Sequence, residues 1–293
     1  MTDHRDDLEL FEQHRPALRA LAYRMLGDTA SADDIVQEAW IRWQARDVEV
    51  DNPRSYLLTI ATRLCLNQLS SARSRHEQLR ARLPEPLEAQ SEGALEIIEQ
   101  VSMAFLVALQ RLSPAERAVL LLHEVFDVSH ADIGRLLDKT EAASRQLLKR
   151  AREGVAETRA VAPVSHDEHR RLLRAFADAA QAGDVDSLMR MLAADAVLIT
   201  DGGTAGVRSG RVRTLVRPLL GAKKIAAFVT ATDGAEWRDQ REHVLNGQPA
   251  LVAYRDGRPY GVLQLGIADG RILEVYIQAD PSRLGHVGMP TGS

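Results

Sequence analysis

Two all-α domains followed by an α+β domain is the architecture that the 293-residue chain predicts. Three observations carry it. Apolar residues recur at helical spacing up to about residue 160, capping signatures divide that stretch, and beyond about residue 195 strand-like alternation takes over. The composition, 45% hydrophobic and 27% charged, is that of a folded chain long enough for two or three modest cores. No apolar run nears the roughly 20 residues that span a bilayer, and Met1-Thr2-Asp3-His4-Arg5 is too polar for a signal peptide. Cys65 is the only cysteine, which excludes an internal disulfide and a cysteine metal cluster. A cytoplasmic protein without metal or cofactor is expected.

Net charge is −4, yet the basic residues are concentrated. Residues 54–82 hold six arginines against the single acid Glu77, a net +5. Residues 142–152 hold Arg145, Lys149, Arg150 and Arg152 and no acid. Phosphate contact needs concentrated positive charge, not a basic average. Two basic segments in an acidic chain point to two separate contacts.

In chain order, Leu8, Phe11, Leu18, Leu21, Ala22 and Met25 predict a helix over 7–26, stopped at Gly27-Asp28. Ser31 reads as the cap of a second helix, with Asp34 three residues on. Its inner face is Ile35, Val36, Ala39, Trp40 and Trp43; its outer face carries Asp34, Gln37 and Glu38 beside the apolar Ile41. An ordinary solvated face has the same pattern. The string Asp33-Asp34-Ile35-Val36-Gln37-Glu38, however, resembles the polymerase-docking helix of bacterial extracytoplasmic-function sigma factors. The resemblance implies that Asp33, Asp34, Gln37, Glu38 and Ile41 face core RNA polymerase.

A third helix runs from about Arg54 to Arg75 behind Pro53, its core side Leu57, Ile60, Ala61, Leu64 and Leu66. It resembles the family's helix that holds an unpaired base of the −10 promoter element. Arg63 and Asn67 are the candidates for base contact, and Arg54, Arg73 and Arg75 for phosphate. Residues 77–93 form a linker, because Leu83-Pro84-Glu85-Pro86 cannot stay helical through two prolines.

From Ala94 helical segments follow, the first carrying Leu95, Ile98, Val101, Phe105, Leu106 and Leu109 and ending at Leu112. Ser113-Pro114-Ala115-Glu116 is a complete helix start, and Ser129 with Asp132 repeats the capping pair. A short helix to Leu137, the turn Asp138-Lys139-Thr140 and a basic helix from Glu141 to Arg152 make a helix-turn-helix. Ala143, Leu147 and Ala151 are expected inward. Glu141, Ser144 and Arg145 are expected toward base edges, with Lys149 and Arg150 toward phosphates. This segment resembles the sigma region that reads the −35 element.

After Val161-Ala162-Pro163-Val164-Ser165, two helices over 169–181 and 185–192 are split by Gly183-Asp184. Strands are expected over 196–200, 225–232, 248–254, 260–267 and 272–278, with Ala268-Asp269-Gly270-Arg271 as a hairpin turn. Helices followed by a curved antiparallel sheet make an α+β cone similar to the SnoaL-like fold. Asp201, Trp237, His243, Tyr254, Tyr260, Gln264 and Tyr276 are the candidate pocket residues, Asp201 and His243 the one suggestive acid–base couple. The pocket leaves room for a small ligand.

Leu83-Pro84-Glu85-Pro86, Asp201-Gly202-Gly203, Asn246-Gly247-Gln248-Pro249-Ala250 and Asp280-Pro281-Ser282-Arg283-Leu284 together resemble the motifs of the SigJ-type subgroup of these sigma factors. Thr204 and Ala205 depart from its Asp-Gly-Gly-Gly-Lys motif, and Arg82 stands where an aromatic residue is usual. The resemblance implies sigma region 2 over 1–76, the linker, sigma region 4 over 94–160 and a regulatory SnoaL-like domain over 165–293. Leu83, Pro84, Glu85, Pro86, Asp201, Gly202 and Gly203 become the expected regulatory contact, with core polymerase and promoter DNA as partners. Two readings stay open beside it: a helix-turn-helix regulator with a ligand-sensing domain, and a cyclase- or isomerase-like enzyme fused to a DNA-binding module.

Overall fold

The structure, a computed structural model, describes residues 4–73, 82–88, 101–157, 164–203, 206–232, 237–285 and 287. It divides into two compact units. One comprises residues 1–77, 92–98 and 105–159; the other comprises 78–91, 99–104 and 160–293. The stretch around Leu83-Pro84-Glu85-Pro86 therefore groups with the C-terminal residues.

The first unit is all helical. His4–Leu26 (α1), Thr29–Gln44 (α2) and Pro53–Arg73 (α3) pack on one another. Met103–Arg111 (α4, mostly in this unit), Pro114–Glu124 (α5), His130–Leu136 (α6) and Glu141–Glu157 (α7) follow. The helical pattern expected before Val101 lies outside the described residues. α2 begins three residues earlier than expected, because Asp28, not Ser31, caps it: its carboxylate accepts the Ser31 N–H at 2.6 Å. Asp28 sits behind Gly27, which takes φ 74 and so reverses the chain between the two helices. At α5 the capping box forms as expected between Ser113 and Glu116. Cys65 is fully buried, and burial pushes its thiol up to about 12, which makes it an inert core residue.

The second unit sets helices His166–Ala182 (α8), Val185–Met191 (α9) and Ala222–Val229 (α10) against a six-stranded sheet. The strands are Leu192–Asp201 (β1), Leu219–Leu220 (β4), Gln240–Leu245 (β5), Gln248–Arg255 (β6), Arg258–Ala268 (β7) and Arg271–Gln278 (β8), in the order β4-β1-β8-β7-β6-β5. Arg208–Ser209 (β2) and Val212–Arg213 (β3) form a separate short hairpin. The sheet is mixed, not wholly antiparallel, because β1 runs parallel to β8. Three hairpin turns, Asn246-Gly247, Asp256-Gly257 and Asp269-Gly270, place both central residues at positive φ, the geometry that Asn-Gly and Asp-Gly favour.

Residues 225–232 are not a strand. Ala222, Ile225, Ala226 and Val229 are all buried, a spacing of 0, 3, 4 and 7 that only a helix delivers to one core. The strand face toward the helices carries Leu198, Leu251, Leu263, Leu265 and Val275. The opposite face carries Val252, Tyr254 and Val262, covered in part by Leu284 and Val287.

His169 on α8 is buried, and burial lowers its pKa to about 4. Between that value and the ordinary value near 6.5, the unfolded chain binds a proton that the folded chain refuses. Stability should therefore fall as pH drops through that window, by on the order of 2 kcal/mol. Calorimetry of the full chain should show a pH-dependent loss of Tm there, and His169→Leu should flatten it. A slope unchanged by the substitution would assign the effect elsewhere.

Candidate functional site

Three surfaces gather the residues singled out by sequence. On the first, α2 buries Ala32, Ile35, Val36, Ala39 and Trp43, which leaves Asp33, Asp34, Gln37 and Ile41 exposed and Glu38 half-buried. Trp40 packs on Phe11 of α1 with ring centroids 4.9 Å apart, and both line a groove with Leu8, Glu12, Asp34 and Gln37. Ile41 is 56% exposed, an apolar residue with no internal role. Asp33 is engaged by Arg19 at 2.6 Å and Glu38 by Arg42 at 3.1 Å. Both pairs are solvent-exposed and so readily exchanged for a partner's cations.

On the second surface, Arg54, Arg63 and Asn67 of α3 are exposed, and the last two lie one turn apart on one face. Arg73 falls at the end of α3, its side chain outside what is described, and Arg75 lies outside the described residues. The helix-turn-helix forms from α6 and α7. Asp138 takes φ 53, so an aspartate adopts the left-handed turn conformation usually left to glycine. Gly134 is the residue that the turn requires: a Cβ there would stand 2.8 Å from the Lys139 carbonyl oxygen.

Within α7, Glu141, Arg145, Lys149 and Arg150 are exposed as expected. Ser144 is not. It is fully buried, with its Oγ 2.9 Å from Nδ1 of His130. The inward row is Ser144, Leu148 and Ala151, whereas Ala143 and Leu147 are only partly buried. The helix is thus turned from the expected phase, because α6 needs a small residue where it crosses α7. Ser144 orients the helix and is removed from the candidate DNA contacts. Arg145 pairs with Glu141 one turn away.

The third surface lies within the C-terminal unit, where residues 83–88 are bound along its edge. Asp201, at the end of β1, is 4% exposed. Its Oδ2 accepts the Leu83 N–H at 3.0 Å and an Arg283 N–H at 2.7 Å, and its Oδ1 accepts the Gly203 N–H at 2.9 Å. Arg283, 6% exposed, also donates to the Leu83 carbonyl at 2.7 Å and to Glu85 at 3.3 Å. Gly203 takes φ 67, and a Cβ there would meet the Asp280 carboxylate at 2.5 Å. The motif's glycine thus permits a close approach of the two loops.

Further along, Leu87 exchanges two hydrogen bonds with Asn246: its carbonyl accepts the Asn246 N–H at 2.7 Å, and its N–H reaches Asn246 Oδ1 at 3.2 Å. Glu88 closes the row, 2.6 Å from His243 Nδ1, and His243 Nε2 stands 2.8 Å from the Tyr254 hydroxyl. Leu83, Pro84, Glu85, Pro86 and Leu87 are all buried. Arg283, Asn246, Glu88, His243 and Tyr254 were not chosen as linker contacts from sequence. The first two stood inside quoted motifs, which was the available signal.

These contacts dissolve the acid–base couple. Asp201 and His243 are each committed to different linker groups, and neither lines the cleft of the cone. Of the candidate pocket residues only Trp237 and Tyr260 do so. Gln264, which donates to the Leu245 carbonyl at 3.2 Å, and Tyr276, which donates to Glu274, are buried outside that lining.

A helical bundle with an exposed acidic helix face, a helix-turn-helix with an exposed basic helix and an α+β cone make up the architecture of a transcription factor with an added domain. Residues 10–75 match the family Sigma-70 region 2, and residues 102–153 match Sigma-70, region 4. A probable ECF RNA polymerase sigma factor of Mycobacterium tuberculosis, SigI, is 31% identical over 296 residues, 97% of both chains. The ECF RNA polymerase sigma factor SigJ of the same organism is 31% identical over 292 residues, 93% of this chain and 91% of SigJ. The crystal structure of SigJ matches with a TM-score of 0.73 at 28% identity, covering 96% of this chain and 99% of that one. The chain belongs to the extracytoplasmic-function family of RNA polymerase sigma factors. It is a transcription initiation factor with an added SnoaL-like domain. No helix among the described residues is long and apolar enough to cross a membrane.

Proposed function

We propose that the chain binds core RNA polymerase through the α1–α2 groove, directs it to promoters in the cytoplasm, and is modulated in cis by its C-terminal domain without catalysis. The observation that supports the modulation is the buried set Asp201–Arg283–Glu85 with the Leu83 backbone. A sigma factor's linker sets how far its two DNA-binding regions reach, and a linker held in this way limits that reach. Release or retention of the linker would then shift the protein between states of different promoter affinity.

In this reading Asp34, Gln37, Glu38 and Ile41 meet polymerase, with Asp33 joining if Arg19 yields it. Arg54, Arg63 and Asn67 take the −10 element, with Arg73 and Arg75 as further phosphate contacts. Glu141, Arg145, Lys149 and Arg150 take the −35 element, the first two toward base edges. Leu83, Pro84, Glu85, Pro86, Asp201, Gly202 and Gly203 form the regulatory contact. An enzymatic role finds no support in the placement of Asp201 and His243, which serve the linker.

Docking is tested by charge reversal. The double variant Asp34→Lys/Glu38→Lys should keep α2 folded, since both residues lie off its buried face, and should weaken core-polymerase binding by several kcal/mol. Competition against wild type for a limiting amount of core enzyme measures this. Equal competition by the two proteins would take α2 out of the interface.

A further inference from the structure

The C-terminal unit carries a third basic segment. Residues 202–232 hold Arg208, Arg211, Arg213, Arg217, Lys223 and Lys224 and no acid, a net +6. The rest of residues 165–293 holds fifteen acids against ten arginines, so the positive charge of this domain is gathered in one stretch. All six side chains are exposed. The fold sets them along α10. The β2–β3 hairpin sits at its far end, where the Arg211 N–H donates to the Ala231 carbonyl at 3.1 Å. Lys223 and Lys224 occupy its first turn, and Arg217 stands just ahead of β4, the edge strand beside β1. α10 has eight residues and is about 12 Å long.

The fold itself makes little use of this charge. The ion pairs described in this unit engage Arg170, Arg174, Arg241 and Arg283. Arg208, Arg211, Arg217, Lys223 and Lys224 enter none among the described residues. Two placements are unfavourable in the protein alone. Arg208 and Arg213 stand directly opposite each other across β2 and β3, where like charges repel. Lys223 and Lys224 lie in the first turn of α10, where the helix dipole favours acids. Anions relieve both. A nucleic-acid strand supplies a row of them, about one phosphate per 3.4 Å, so the length of α10 matches about three or four phosphates. Single strands are held by base stacking as well as by charge. Residues 202–232 contain one aromatic residue, Phe228, and it lines the cone's cleft. The surface therefore fits a duplex backbone, contacted without regard to sequence.

We propose that the C-terminal domain makes a third, sequence-independent contact with promoter DNA, its duplex phosphates held by Arg208, Arg211, Arg217, Lys223 and Lys224. The inference rests on the chain's function as an initiation factor and not on control of the linker. It gives the added domain a direct share in promoter affinity. Val216 and Leu220, exposed within the same segment, are residues that a protein surface would engage instead, which makes polymerase the competing occupant.

The test uses promoter fragments enriched from genomic DNA by the wild-type holoenzyme. They are titrated with holoenzyme built from wild type, from Arg208→Ala/Arg211→Ala/Lys224→Ala, or from Arg171→Ala/Arg190→Ala/Arg258→Ala. The last variant removes the same charge from exposed positions elsewhere on the domain. Fluorescence anisotropy between about 50 and 200 mM salt gives the slope of log K against log salt, to which each phosphate contributes about 0.9. The first variant should be shallower than wild type by about 2 to 3 and roughly tenfold or more weaker at the lower salt. The second should match wild type. Arg208→Lys/Arg211→Lys should keep the wild-type slope, because phosphate needs the charge. Hydroxyl-radical footprints of the first variant should lose a stretch of protected backbone while protection at the −10 and −35 elements stays. All variants should compete equally for core polymerase, and circular dichroism checks that each is folded. Equal slopes for wild type and the first variant overturn the proposal, as does an equal fall in the second, which would make the effect one of net charge. Lost competition for core enzyme with an unchanged DNA slope would assign the surface to polymerase. A wild-type holoenzyme that selects no promoter would contradict the initiation function itself, and this proposal with it.

Discussion

Asp201→Ala should release the linker from the C-terminal domain. The carboxylate holds the Leu83 N–H at 3.0 Å and Arg283 at 2.7 Å, and both it and Arg283 are almost wholly buried. Removing the carboxylate from such a pair leaves Arg283 buried with Glu85 as a carboxylate partner and the Leu83 carbonyl as a neutral acceptor, at a cost of up to about 3–5 kcal/mol. The peptide N–H of Leu83 also loses its acceptor. Hydrogen exchange across residues 83–88 should rise strongly, while exchange within α8 and β7 changes little. Arg283→Met should act in the same direction, and the double variant should cost clearly less than the sum, because the two groups share one contact. Additive costs would mean that Asp201 and Arg283 act independently of each other.

Arg117→Met should loosen the helical unit without unfolding its helices. Arg117 of α5 is 6% exposed; its Nε donates to the Leu109 carbonyl at 2.8 Å, and its Nη1 donates to the Met25 carbonyl at the end of α1. One side chain thus ties the segment matching region 4 to the segment matching region 2. Hydrogen bonds to a charged group contribute about 1.5–3 kcal/mol each. The −35 and −10 elements lie about 25 base pairs apart, roughly 85 Å at the DNA rise per base pair. If the two segments separate to span both elements, loosening this contact favours the promoter-bound form, and the variant should bind promoter DNA together with core polymerase faster than wild type while its Tm falls. Slower binding with the same loss of Tm would show that the contact supports the active form.

Much of this was legible in the sequence because capping and turn chemistry are local. Ser113 with Glu116, Ser129 with Asp132, and the Asn-Gly and Asp-Gly turns need no tertiary information. The errors arose where tertiary packing chose between local options. Residues 225–232 are apolar enough for a strand, and their helix is set by Ala222, Ile225, Ala226 and Val229 sharing one core. β5 went unnoticed because Gln240-Arg241-Glu242-His243 is an edge strand with polar residues on both faces. Ser144 has the composition of a base-contacting residue, and only the crossing of α6 and α7 turns it inward. The linker contacts were visible only as motif strings. Which atoms meet, Asp201 with Leu83 and Asn246 with Leu87, depends on pairs 118 and 159 residues apart in sequence.

The central claim, that the C-terminal domain controls a sigma factor through its linker, is tested most directly by run-off transcription with core polymerase. The templates are promoters enriched from genomic DNA by the full-length holoenzyme. Full-length protein, Asp201→Ala and a chain ending at Val161 are compared at matched concentration. The full-length protein should start transcription at defined sites, truncation should abolish most output, and Asp201→Ala should change output while the protein stays folded. Equal transcription from all three proteins would contradict the account and make the C-terminal domain a passenger.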